Sequence, residues 1–255
     1  MKRFILFLII VGIIGVGVFV LTSEKEAPHE QQTQPQTLEA DEIAFFEPSE
    51  TLVKNIIKNA LDARFDSETA TYKVADLDRK GGPELIIGAA GQNTATIQIL
   101  TIVNKEKEYE RIGKIEYQEL LREAPEVKEI TDIDGDGQEE IIMSLMYGGA
   151  SSWAEGILDV DFVKRTMQWV QIRNESGQLQ DAIFILAASA AHRNAFQIQD
   201  ADKDGKKEIV ETFAQTLLDK TECEVSAYEW DNDVFAFDKT LSEQFLSKLG
   251  ADCVM

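Results

Sequence analysis

The sequence predicts a mainly β fold of three propeller-blade-like antiparallel repeats with short flanking helices, preceded by an N-terminal transmembrane helix. Three observations predict it: an acidic loop that recurs three times, short Ile- and Val-rich runs beside each loop, and one long apolar run at the N-terminus. Residues with β-branched side chains next to glycine-containing turns favour strands. A repeat longer than about 40 residues with several strands per copy is typical of propeller blades and related β arrays.

The N-terminal segment is predicted to anchor the chain in a membrane. After Met1-Lys2-Arg3, an uninterrupted apolar run extends from Phe4 to Leu21. This run is long enough for a spanning helix, which needs about 17–25 such residues, and flanking basic residues stay in the cytoplasm. We therefore expect a cytoplasmic tip at residues 1–3, a transmembrane signal anchor at 4–21 and an extracytoplasmic C-terminal domain. A cleaved signal peptide, which would give a secreted domain, stays open as the alternative.

A flexible stalk is expected over residues 22–48, because this stretch is rich in Glu, Gln, Thr and Pro and cannot bury enough apolar surface to fold. The repeat domain is expected over residues 49–255. It should begin with a helix, since apolar residues recur at helical spacing from Leu52 to Leu61 and Ser49 suits the N-cap. A second short helix is expected from Leu241 to Gly250, where glycine favours a helix end.

The acidic loops define the repeat. Residues 132–140 read D-I-D-G-D-G-Q-E-E and residues 200–208 read D-A-D-K-D-G-K-K-E. Residues 76–84 read D-L-D-R-K-G-G-P-E, with a lysine in place of the third aspartate. The loops thus begin at Asp76, Asp132 and Asp200, and the second interval is slightly longer than the first. The expected repeats therefore cover about 70–125, 126–190 and 191–240.

Calcium is the cofactor that these loops predict. The ion takes about six to eight oxygen ligands and tolerates irregular geometry. Carboxylates at loop positions 1, 3 and 5 can converge on one point, glycine at position 6 turns the backbone, the carbonyl at position 7 adds an oxygen, and the acid at position 9 closes the shell. Two sites are predicted, with Asp132, Asp134, Asp136, Gln138 and Glu140 in the second loop and Asp200, Asp202, Asp204, Lys206 and Glu208 in the third, Gln138 and Lys206 by backbone carbonyl.

No calcium is expected in the first loop, because the Lys80 ammonium would take the place of the ion or pair with Asp76 or Asp78. Two alternatives exist for the other loops. They could be ordinary Asp-rich turns between strands. They could also be EF-hands, which need an acid at position 12 and two flanking helices. The third loop has Glu211 there, but the second has Met143, and the residues that follow all three loops favour strands.

The pattern D-x-D-x-D-G-x-x-E-I, recurring along the chain and followed each time by short strands, resembles the FG-GAP/VCBS-type repeats of calcium-binding β-propellers, including those of integrin α-subunits. The resemblance covers about residues 70–240. It implies calcium loops that stiffen the blades, and it matches the eight acidic residues named above to ligand positions. The Phe-Gly and Gly-Ala-Pro signatures are not present as such. Three repeats are fewer than the about four to eight blades of a closed propeller, which leaves an open array or an oligomer.

Charge and motif content limit the function. The chain has 255 residues and a net charge of −21, from 25 basic and 46 acidic residues, which disfavours nucleic acid as a partner. No catalytic residues and no organic cofactor are predicted: a triple of Ser152, Asp181 and His192 has no more support than any chance set. Trp153, Trp169 and Trp230 are expected to be core or blade-face aromatics, and sugar stacking is their alternative role.

Binding or adhesion at the cell exterior, toward an unknown protein or glycan, is therefore the expected function. Two alternatives remain open: an exported enzyme or enzyme accessory directed at glycans and scaffolded on the repeats, and a component of cell-envelope assembly. The two cysteines, Cys223 and Cys253, could pair in an oxidising compartment or stay as buried thiols.

Overall fold

The computed structural model describes residues 46–92, 94–103, 108–117, 123–149, 152–187, 192–217, 220–249 and 253. All of them belong to one unit that extends from Ala40 to Met255. The predicted tip and anchor, and the stalk up to residue 45, lie outside the described residues. No helix in the described ranges is long and apolar enough to cross a membrane. The described part is mainly β, with antiparallel sheets and two helices.

The first sheet contains four antiparallel strands in chain order. They are β1 (Thr71–Ala75), β2 (Glu84–Gly91), β3 (Thr94–Ile102) and β4 (Tyr109–Tyr117). Helix α1 (Glu50–Ala60) covers one face, where its apolar stripe packs on Leu85, Ile87, Leu100 and Ile102. The Ser49 hydroxyl accepts a hydrogen bond from the Leu52 N–H at 3.3 Å and caps the helix. The predicted first helix and its N-cap are confirmed.

The second sheet has the strand order β11-β7-β6-β5. Strand β8 pairs with the same edge of β7 as β11 does, but with a later segment of β7. Its strands are β5 (Glu126–Thr131), β6 (Glu140–Gly149), β7 (Ser152–Asp161), β8 (Thr166–Trp169) and β11 (Ile183–Ala187). This sheet shares a hydrophobic core with the first one, formed by residues such as Ile97, Ile99, Ile141 and Met143. Gly88 allows the sheets to approach, because a Cβ there would come within 1.8 Å of the Pro125 carbonyl oxygen.

The third sheet has the order β10-β9-β15-β14-β13-β12. Its strands are β9 (Gln171–Arg173), β10 (Leu179–Asp181), β12 (His192–Gln199), β13 (Glu208–Leu217), β14 (Lys220–Asp231) and β15 (Val234–Asp238). The strand-like run from Met167 to Ile172 is continuous in sequence, but the structure divides it between two sheets. Val170 is the dividing residue, since its N–H donates to Ile157 of the second sheet while β9 pairs parallel with β15 of the third.

Helix α2 (Lys239–Lys248) packs on the third sheet, with Phe245 against Val210 and Ala227. It confirms the second predicted helix. Cys223 in β14 forms a disulfide with Cys253, and their Cα atoms are 5.6 Å apart. The bridge closes a loop of 30 residues. A loop of that length restricts the unfolded chain by roughly 3–4 kcal/mol in the chain-entropy account of disulfides.

Candidate functional site

Each acidic loop connects two neighbouring antiparallel strands. The first connects β1 to β2, the second β5 to β6 and the third β12 to β13. The glutamate at position 9 is the first residue of the outgoing strand in all three, namely Glu84, Glu140 and Glu208. The loops are therefore equivalent in the fold as well as in the sequence.

The position-9 glutamate holds the start of its own loop. One carboxylate oxygen accepts a hydrogen bond from the N–H of position 2, at 2.8 Å from Leu77 to Glu84, 2.7 Å from Ile133 to Glu140, and 2.6 Å from Ala201 to Glu208. All three glutamates are at most 5% exposed. An acid at position 9 thus satisfies a backbone donor of the loop, a structural role that the sequence reasoning, which saw only a metal ligand, did not anticipate.

The aspartates at positions 1 and 3 also hold backbone N–H groups. The position-1 carboxylate accepts from the glycine at position 6, at 3.0, 3.1 and 3.3 Å in the three loops in order. The position-3 carboxylate accepts from position 5, at 3.0 Å in each loop. These bonds fold the loop around its carboxylates, so that the acidic side chains point to a common centre.

Positions 4 and 6 adopt a left-handed backbone in all three loops. Position 6 is glycine each time, with φ between 83° and 94°. Position 4 is Arg79, Gly135 and Lys203, with φ of 55°, 78° and 68°. Left-handed backbone is disfavoured for residues with a side chain. The two non-glycine residues at position 4 are held there by the surrounding hydrogen bonds, and the sequence alone did not single them out.

Carboxylate oxygens converge in every loop and could hold a metal ion. The groups whose ligand atoms lie within 4.8 Å of one another are Asp76, Asp78 and Glu84 in the first loop, Asp132, Asp134 and Asp136 in the second, and Asp200, Asp202, Asp204 and Glu208 in the third. The third loop thus brings together its four predicted acidic ligands. The second brings together three, while Glu140 lies outside its group. Gln138 and Lys206 have their N–H groups bonded to the position-5 aspartates, and their carbonyls stay predicted ligands.

The first loop combines a carboxylate group with the lysine that distinguishes it. The Lys80 ammonium lies 3.1 Å from the Asp78 carboxylate, as the sequence led us to expect, and the lysine side chain is 74% exposed. One oxygen of Asp76, Oδ1, is buried without a hydrogen-bond partner in the described part of the chain. Lys80 therefore neutralises one carboxylate from the outside of the loop. The expectation that this loop takes no calcium stays a prediction.

A cross-strand acid faces the second and third loops, and sequence reasoning missed both. In the first sheet Glu84 pairs with Thr101. In the second sheet Ile141 pairs with Leu158, so Asp159 lies across from Glu140. In the third sheet Ile209 pairs with Tyr228, so Glu229 lies across from Glu208. Burial is the main cause that raises the pKa of both, and loop aspartates add to it: Asp136 for Asp159, and Asp202 and Asp204 for Glu229. Only the strand register, set by hairpins of different length, reveals this position.

Crowding of acids in a buried setting favours protonation. Burial raises the pKa of Glu140 to about 8 and that of Glu84 to about 7, with the neighbouring aspartates acting in the same direction. Burial also raises the pKa of Asp134 and of Glu208. A bound divalent cation would replace these protons, because metal ligands must be deprotonated.

The three loops contact one another in chain order. The Arg79 guanidinium of the first loop lies 3.2 Å from the Glu139 carboxylate of the second. The Lys207 N–H of the third loop donates to the Ile133 carbonyl of the second at 2.8 Å. Both contacts therefore join a loop to the one before it, and each uses position 8 of the later loop. Comparisons with protein families, with characterised proteins and with solved structures give no match for this chain.

Proposed function

We propose that this chain is a membrane-anchored, externally facing β-repeat domain that binds calcium in its second and third acidic loops and acts in binding or adhesion. The anchor is residues 4–21, and the three sheets act as blade-like units of the FG-GAP/VCBS type. The observation that carries the proposal is the convergence of carboxylates in the second and third loops, on the hydrogen-bonded frame that all three loops share.

Calcium fits these loops better than a transition metal. Every side chain in the converging groups is a carboxylate, and calcium prefers oxygen ligands in irregular arrangements, whereas zinc and copper prefer histidine or cysteine. Outside the cell even weak sites, with dissociation constants of about 10⁻⁴–10⁻³ M, can be filled. The ion would also offset part of the net charge of −21, which otherwise disfavours the folded chain by self-repulsion.

The cross-strand acids would complete the two coordination shells. A calcium ion needs about six to eight oxygens, and the loop side chains alone supply fewer. Asp159 and Glu229 face the aspartates of the second and third loops, while the first loop has Thr101 at that place. The hydroxyl of Thr101 instead donates to Glu84 at 3.3 Å. Two independent differences therefore favour calcium binding in the second and third loops over the first: the aspartate at position 5 and the acid across the strand.

The test is a thermal melt of the full chain with calcium and with chelator. At a calcium concentration of about 100 times Kd, each occupied site stabilises the fold by roughly 2.7 kcal/mol. Asp134→Ala and Asp202→Ala should each remove one increment, and Asp66→Ala, which alters an exposed carboxylate outside the loops, should remove none. An unchanged Tm on calcium addition to the wild type would reduce the loops to turns and would remove the basis of the proposal.

A further inference from the structure

A pocket of about 750 Å³ opens beside the second acidic loop. Its walls come from that loop, from the paired strands β7 and β8, and from the hairpin between β14 and β15. Small-molecule sites usually enclose about 300–1,000 Å³. The pocket has the size of a site for a whole small molecule, and the calcium loop occupies only one side of it. Its tryptophan is Trp230, and neither Trp153 nor Trp169 lines it.

The charge of the pocket is strongly negative. Six carboxylates line it, namely Asp134, Asp136, Glu140, Asp159, Asp161 and Asp233, against one ammonium, that of Lys164. The Lys164 ammonium lies 2.8 Å from the Asp161 carboxylate and forms an ion pair with it. When all these groups are ionised, the net charge of the lining is −5, and a calcium ion in the loop would reduce it to −3. A cation is thus the ligand that the pocket favours.

Glu140 brings one carboxylate oxygen to the pocket. The residue is 5% exposed, and one oxygen, Oε2, accepts the hydrogen bond from the Ile133 N–H. The other oxygen, Oε1, has no hydrogen-bond partner within the described ranges and is not fully buried. Because the residue lines the pocket, a donor or a cation there can contact this oxygen.

Two aromatic residues line the pocket together with the acids. Trp230 and Phe235 line the pocket from the β14–β15 hairpin, and their ring centroids are 4.9 Å apart. Tryptophan attracts cations through its ring face more strongly than the other aromatics do, and it also packs against methylene groups. Val160 and Val170 add apolar surface. A bare metal ion would gain nothing from these walls, whereas an organic cation uses both the charge and the apolar surface.

We propose that this pocket binds a small alkylammonium compound, with its ammonium group at Asp159 and Glu140 and its carbon chain against Trp230. The pocket has acidic and apolar walls, and an alkylammonium compound has a cationic group and a carbon chain that match them. Asp159 and Glu140 are also proposed calcium ligands, so the ammonium group and calcium would compete for them, but the site does not require calcium in the loop. It can therefore be tested in chelator.

The test is a titration of the full chain with 1,5-diaminopentane, followed by the indole N–H signals of its three tryptophans in NMR spectra. The Trp230 signal should shift saturably, and those of Trp153 and Trp169 should stay in place. Pentane-1,5-diol, a neutral compound of the same length, should give no saturable shift. Asp159→Asn should weaken diamine binding about tenfold, as expected for the loss of a charge-assisted contact.

Asp66→Asn is the matched control, because it removes one exposed carboxylate outside the pocket. It should leave diamine binding unchanged. Equal weakening in the two variants would mean attraction to the overall negative charge and would overturn the proposal. A saturable Trp230 shift with the diol would also overturn it, as would no shift with the diamine. None of these outcomes depends on calcium binding, so a failure here is distinct from a failure of the calcium sites.

Discussion

The first and second acidic loops have the same hydrogen-bonded frame and different charge. In both, the carboxylates at positions 1, 3 and 9 accept the same backbone N–H groups, at distances between 2.7 and 3.1 Å. They differ at position 5, which is Lys80 in one and Asp136 in the other. They differ again across the strand, where Thr101 stands in place of Asp159.

The comparison separates two roles of the motif. The acids at positions 1, 3 and 9 build the turn, and they are present even in the first loop, which has a lysine at position 5. Position 5 and the cross-strand residue decide how much negative charge faces the centre. We infer that the fold needs the frame in all three loops, while a cation would need the extra acids that only the second and third loops provide.

The largest effect is expected from Glu140→Ala set against Glu84→Ala. In chelator each should lower the free energy of unfolding by about 1–3 kcal/mol, because a buried backbone N–H loses its acceptor. In calcium only Glu140→Ala should lose roughly 2.7 kcal/mol more, the increment of one site at 100 times Kd. Urea unfolding in the two buffers measures both quantities. Equal calcium increments in the two variants would break the distinction between the loops.

Asp136→Lys converts the second loop to the charge pattern of the first. It should remove about 2.7 kcal/mol of calcium-dependent stability. In chelator it removes the hydrogen bond from the Gln138 N–H to Asp136, which contributes about 0.5–1.5 kcal/mol, but it also relieves repulsion among the loop carboxylates, so the net change should be small. Thermal melts with and without calcium test it, and Asp136→Asn is the milder control. A large loss in chelator would show that Asp136 also supports the frame.

Stability without calcium should fall as the pH rises from 7 to 8. The pKa values of Glu140, about 8, and Glu84, about 7, lie above those of the same groups in the unfolded chain, so the native state binds more protons in this range. The expected loss is about 1 kcal/mol over this unit of pH. Glu140→Gln should flatten the slope near pH 8 and Glu84→Gln the slope near pH 7. A slope that both variants leave unchanged would assign the titration to other groups.

The smallest effect is expected from Arg79→Ala. This change removes the exposed ion pair between the first and second loops, which should contribute less than about 1 kcal/mol. Calcium affinity of the second loop should be unaltered, since Glu139, at position 8, is not one of the predicted ligands. Calorimetric titration of the variant checks this, and a severalfold change in affinity would show that the loops communicate through this pair.

Much of the fold could be predicted from local patterns. The strands beside each loop follow from β-branched runs next to glycine turns, and α1 follows from its apolar spacing and the Ser49 cap. The division between β8 and β9 could not be predicted, because the run from Met167 to Ile172 is continuous in sequence. Its two halves separate only where Val170 meets Ile157 and β9 pairs with the edge of β15.

The candidate site was predictable within each loop and not beyond it. The motif gives the carboxylates that converge, because they are close in sequence. It does not give Asp159, Glu229 or Trp230, whose positions depend on strand register and on contacts between distant segments. It also does not show that one glutamate both accepts a backbone N–H and belongs to a carboxylate group, since only the folded loop places the Ala201 N–H beside Glu208.

The most direct test of this account is a count of bound calcium per chain by equilibrium dialysis, for the wild type, Asp136→Lys and Lys80→Asp. Calcium sites with Kd values in the range of extracellular modules would be filled at a few millimolar calcium. Two ions are expected for the wild type and one for Asp136→Lys. For Lys80→Asp a third ion is expected, bound more weakly than the others because Thr101 is not an acid. The same count in all three proteins, or none in the wild type, would contradict it.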